Sequence, residues 1–108
     1  MKQRGDVWWI NFDPSVGQEV KKKRPAIVIS NNTSNKHLKR YQVVPLSTQT
    51  GKFYPSETPV KLAGKESKAM ADQLTTVSEL RFINRAGSIT QDELTEVERI
   101  VKLQLGLK

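Results

Sequence analysis

At 108 residues the chain is long enough for one domain and too short for two with separate cores, so residues 1–108 are read as a single unit. With 36% hydrophobic and 27% charged residues and no apolar run near membrane-spanning length, it is neither a disordered chain nor a helical membrane protein; lacking cysteine, it has no disulfides, thiolate nucleophiles or zinc–thiolate centres. The formal net charge of +7 by itself fits a generally basic surface as well as a polyanionic partner, and a cysteine-free chain without a signal-peptide pattern suits the cytoplasm.

Gly5 to Phe12, rich in β-branched and aromatic residues, predicts a first strand. Asp13-Pro14-Ser15-Val16-Gly17 is turn chemistry and opens a loop that runs to Arg24. Pro25 to Ser30 is a continuous apolar run that predicts a central strand, with Arg24 held extended at its mouth by the following proline. Residues 31–40 read as a polar loop with room for one helical turn. Tyr41 to Leu46 predicts another strand, and Pro45 suggests an edge or a bulge. Thr58–Leu62 and Ala69–Val77 each predict a further strand, separated by a turn over AGKES. At the C-terminus, Thr90 and Glu93 form a capping box ahead of Leu94, Val97, Ile100, Val101 and Leu105 at helical spacing, and Gly106 supplies the stop. Several short strands followed by one helix predict a mainly β protein with a small, strongly bent sheet or barrel.

The positive charge is regional. From Val20 to Ser56 there is no acidic residue, while Lys21, Lys22, Lys23, Arg24, Lys36, Lys39, Arg40 and Lys52 all fall in that window. Such a window is the electrostatic footprint expected for nucleic acid. The single histidine, His37, lies in a polar loop without metal-ligand partners, and no phosphate-binding loop, dinucleotide fingerprint or GxSxG elbow is present, so no metal and no cofactor are expected. What remains is arginine beside hydroxyls. Arg24 can make bidentate contacts to phosphate, and Ser47, Thr48 and Thr50 cluster where a strand ends. Trp8, Trp9, Phe53 and Tyr54 can stack bases; one of the adjacent tryptophans must face the core, which makes Phe53 and Tyr54 the better candidates. Cleavage at phosphate without a metal suits RNA, whose 2′-hydroxyl is an internal nucleophile that DNA lacks.

Residues 4–30, RGDVWWINFDPSVGQEVKKKRPAIVIS, resemble the opening of the MazF/PemK toxin family. VVPLSTQ at 43–49 and Ala71-Asp72-Gln73 resemble its second and third motifs. The resemblance implies an SH3-like barrel, a homodimer and a metal-independent endoribonuclease acting on single-stranded RNA, neutralised by an acidic, MazE-like antitoxin. Matched position by position, the family's catalytic arginine falls on Arg24 and its catalytic threonine on Ser47; serine then threonine stands where threonine then serine is common, so Thr48 shares the candidacy. Glu19 is a candidate to position Arg24 or act as base, against a purely conformational role in the loop. Lys21, Lys22, Lys23, Gln49, Phe53, Tyr54, Asp72 and Gln73 complete the expected RNA-binding set. Met70 stands where some members carry an arginine two residues before the acidic position matched by Asp72. Two other functions compete: inhibition of a protein target such as DNA gyrase by the same fold, and non-catalytic binding of single strands.

Overall fold

The computed structural model describes residues 2–108. Their order is β1 (Asp6–Asn11), β2 (Lys23–Val28), α1 (Asn32–His37), β3 (Arg40–Ser47), β4 (Glu57–Leu62), β5 (Lys65–Met70), β6 (Thr75–Ser78), β7 (Phe82–Ser88) and α2 (Gln91–Leu105), with 3-10 turns at Ala71–Gln73 and Glu79–Arg81. All seven strands join one antiparallel sheet in the spatial order β4-β5-β3-β2-β1-β7, with β6 beside β3. The sheet curls until its outer strands nearly meet: a Cβ added to Gly87 of β7 would lie 3.2 Å from Leu62 Cδ1 at the end of β4. The result is the expected mainly β, SH3-like half-barrel with one C-terminal helix.

The apolar run of β2 is buried on both faces, which is why it does not alternate. Ile27 packs with Val7, Val44, Leu46 and Val60 in a core that α2 seals through Val97 and Ile100. Ala26 and Val28 face the opposite way, toward Ile10, Tyr41, Val43 and Val77. At the rim of this second core, Lys2 Nζ sits 5.0 Å from the ring centres of both Trp8 and Phe82. Helix α2 carries the predicted capping box between Thr90 and Glu93 and ends on Gly106 at φ 71°. Its apolar stripe fades at the end, where Leu105 is 53% exposed.

Two expectations change, and one strand is added that none foresaw. Pro45 is not on an edge strand: β3 is central, pairing with β2 on one side and with both β6 and β5 on the other. The proline falls where that second side changes partner, since β6 covers Arg40–Val43 and β5 covers Leu46–Ser47. Ala69–Val77 is not one strand, because the 3-10 turn at Ala71–Gln73 divides it between β5 and β6. Strand β7 carried no sequence signal. It is an outer strand paired only with β1, and Ile83, Asn84 and Arg85 are exposed, so alternation is lost.

Candidate active site

The loop between β1 and β2 is held at both ends by backbone and side-chain hydrogen bonds. Phe12 N donates to Lys22 O at 2.8 Å, and Lys22 N donates to Asp13 Oδ1 at 2.9 Å, which stabilises Lys22 at φ 63°. Arg81 donates to Asn11 O at 3.0 Å and to Asp13 O at 2.6 Å. Gln73 closes the far side, donating to Gln18 O at 3.0 Å and accepting from Val20 N at 3.1 Å. Within the loop Glu19 Oε1 accepts from Val16 N at 2.7 Å, while its Oε2 has no hydrogen bond among the described residues. The loop therefore delivers Lys21–Arg24 to the sheet in a fixed conformation.

Arg24 lies inside β2, paired with Ile10 of β1. Its Nε donates to Lys21 O at 3.3 Å, and both terminal amino groups are without partners among the described residues. The β2–β3 register pairs Ala26 with Pro45; extended by two residues it sets Arg24 opposite Ser47. Ser47 pairs in turn with Lys68 of β5. Directly opposed residues project from the same face of a sheet, so Arg24, Ser47 and Lys68 form a row across three strands. All three line a cleft of about 470 Å³, together with Glu19, Gln49 and Glu57. Ser47 is buried and its Oγ accepts from Gln49 N at 3.1 Å, so its own hydrogen is free to donate into the cleft.

Thr48, in the bend just beyond β3, does not line the cleft. It lines instead a second groove, of about 330 Å³, with Trp9, Lys22 and Lys23; Arg24, Lys21, Ser47 and Gln49 border both spaces. Trp9 is 38% exposed in that groove, whereas Trp8 packs against the second core. Asp72 lies beyond the β1–β2 loop in a third groove, with Pro14, Thr75 and Arg81, and Gln73 borders both that groove and the cleft. Phe53 and Tyr54 are exposed and line none of these spaces, but Lys68 Nζ stands 5.7 and 5.9 Å from their ring centres.

Two residues of the cleft escaped sequence reasoning. Lys68 Nζ donates to Glu57 Oε1 and to Lys52 O, each at 2.9 Å, and the two charged side chains are only 10% and 7% exposed. Glu57 sits diagonally from Lys68 across β4 and β5, where Pro59 is the direct partner, and nothing in the sequence marks that pairing. The acid-free window also divides in space. Lys21–Arg24 and Lys52 lie at the cleft end of β3, whereas Lys36, Lys39 and Arg40 lie at its other end, about 23 Å away at the rise of a strand. No group of three or more His, Cys, Asp or Glu side chains comes together among the described residues, and no helix among them is long and apolar enough to cross a membrane.

The profile of a family described as PemK-like, MazF-like toxin of type II toxin-antitoxin system matches residues 3–105. The chain belongs to this family. Among its relatives, the Endoribonuclease toxin MazF of Escherichia coli is 30% identical over 103 residues, covering 94% of this chain and 92% of that protein. Endoribonuclease MazF9 of Mycobacterium tuberculosis is 29% identical over 116 residues, covering 99% of this chain and 98% of the relative. The crystal structure of MazF from Deinococcus radiodurans superposes with a TM-score of 0.86 at 27% identity, over 98% of this chain and 97% of that one. A mycobacterial endoribonuclease in complex with its cognate antitoxin shares the fold, with a TM-score of 0.84 at 20% identity over 100% and 98% of the two chains. The PemK/MazF-like match spans every strand and helix described above, from β1 to α2.

Proposed function

We propose that this PemK/MazF-like chain is a sequence-selective endoribonuclease toxin that cuts single-stranded RNA without a metal ion and is neutralised by an acidic antitoxin. The observation that supports it best is the placement of Arg24 and Ser47 on one face of the sheet, over a cleft bordered by Lys21. A scissile phosphate set there meets the free amino groups of Arg24 and the hydroxyl of Ser47. As the 2′-oxygen attacks phosphorus, charge builds on the nonbridging oxygens, and these donors stabilise it. The 2′-hydroxyl proton passes to a base, for which Glu19 Oε2 is a free acceptor in the cleft beside Arg24, and the leaving 5′-oxygen takes up a proton from water. The products are a 2′,3′-cyclic phosphate and a 5′-hydroxyl.

The lysines draw the strand in, and Trp9 adds an exposed ring beside them. An acidic antitoxin segment would compete for the same cations. The protein acts as a homodimer in the cytoplasm, burying the exposed apolar side chains of Leu80 and Ile83 near the unpaired edge of β7. The test is cleavage of a long single-stranded RNA in EDTA, beside the same substrate with a 2′-deoxy nucleotide at the cut site. Cutting of the first alone is expected; cutting of the deoxy substrate, or of neither, overturns the proposal.

A further inference from the structure

Beside Arg24 and Ser47, the cleft holds a charged pair that the cleavage chemistry does not use. Lys68 and Glu57 are nine-tenths buried at its floor, and each keeps unspent hydrogen-bonding capacity. The ammonium has three N–H groups, of which Lys52 O and Glu57 Oε1 take two. Glu57 Oε1 accepts from Lys68 Nζ and from Tyr54 N, each at 2.9 Å, whereas Oε2 has no partner among the described residues. One donor and one acceptor are thus left side by side.

A buried ion pair is weak evidence of stabilisation, because desolvating both charges offsets their attraction. Its chemistry fits a ligand better. A phosphate oxygen drawn to Lys68 would also meet the Glu57 carboxylate, which repels it and cancels much of the attraction. A neutral group presenting an acceptor beside a donor meets no such penalty, and every nucleobase carries that combination on its Watson–Crick edge. The rings of Phe53 and Tyr54, exposed and within 6 Å of Lys68 Nζ, offer a stacking surface for the same base.

We propose that the Glu57–Lys68 pair reads the edge of one unpaired nucleobase beside the scissile bond, making both residues determinants of cleavage specificity. This assignment rests on the RNA-cleavage reading and names the part of the cleft that selects sequence. Lys68 donates to the base's ring nitrogen or carbonyl, Glu57 Oε2 accepts its N–H, and Arg24 and Ser47 hold the adjacent phosphate.

The test first maps the wild-type cut site on RNA. It then measures binding of an uncleavable strand, 2′-deoxy at the cut, carrying single abasic replacements. The proteins are wild type, Lys68→Met, and the double variant Lys68→Met with Glu57→Leu, which removes both charges together and keeps the fold if one unpaired charge does not. For wild type, one abasic position near the cut weakens binding about tenfold. In the variants the intact strand binds several-fold more weakly, the abasic penalty at that position shrinks to what stacking on Phe53 and Tyr54 leaves, and the salt dependence is unchanged. If instead the salt slope falls by about 0.7, the loss of one phosphate contact, Lys68 holds backbone and the proposal fails. It fails equally if a folded variant keeps the wild-type abasic profile. A wild-type protein that cuts no RNA overturns the cleavage reading itself, a result separate from either of these.

Discussion

Arg24 can serve as a phosphate clamp because its neighbours occupy only one edge of it: Lys21 O takes Nε, and the two amino groups project unspent into the cleft. Arg24→Ala is expected to lower kcat for RNA cleavage by about a hundred- to a thousandfold, the usual loss for one oxyanion donor. Arg24→Lys should be nearly as damaging, since a point charge does not reproduce the planar fork. The adjacent hydroxyls separate by position, Ser47 lining the cleft and Thr48 only the neighbouring groove. Ser47→Ala is expected to lower kcat about a hundredfold, whereas Thr48→Ala, outside the cleft, should leave it within a fewfold of wild type. Equal losses for the two would refute that separation. Lys22→Ala should weaken binding of uncleavable RNA and reduce its salt slope by about 0.7, without lowering kcat at saturation. Arg24 was marked in the sequence by the proline after it, whereas Ser47 was only one of three hydroxyls at a strand end, set apart with Thr48 by the family resemblance. Glu57 and Lys68 were not marked, because their meeting depends on the register of β4 against β5.

The elements show the same division between local and non-local causes. Helix α2 was readable from end to end, since its capping box, apolar spacing and terminal glycine all lie within the segment itself. Thr90→Ala is expected to cost about 1 kcal/mol in urea unfolding and to leave the cleavage rate unchanged, because neither Thr90 nor Glu93 lines the cleft. Strand β7 and the true setting of Pro45 were not readable: both depend on which strands lie alongside. The turn between β4 and β5 offers a converse case. Ala63 and Gly64 both have positive φ, 51° and 77°, a conformation that disfavours alanine. Ala63→Asn should raise stability by about 0.5–1 kcal/mol, measured as a higher urea midpoint at constant m-value. A lower midpoint would show that the turn does not carry this strain.

At the scale of the whole molecule, charge that is continuous in sequence is divided in space, with five cations of the acid-free window at the cleft end of β3 and three at the far end. Salt should therefore weaken RNA binding more steeply than the cleft lysines alone require if the strand runs along the molecule. Charge-neutral replacement of Lys36, Lys39 and Arg40 together tests this: an unchanged salt slope confines the RNA to the cleft end. Sedimentation at micromolar concentration should give the mass of a dimer, and an acidic antitoxin segment should displace uncleavable RNA competitively. The row of Arg24, Ser47 and Lys68 has a consequence for synthesis. Its members come from three separated strands, Gln73 fixes the loop later still, and the helix that seals the first core is made last. The cleft is therefore expected to assemble only after α2 has emerged from the ribosome, so that the message being translated would be spared by its own unfinished product; a chain cut short before Gln91 should show no cleavage of RNA.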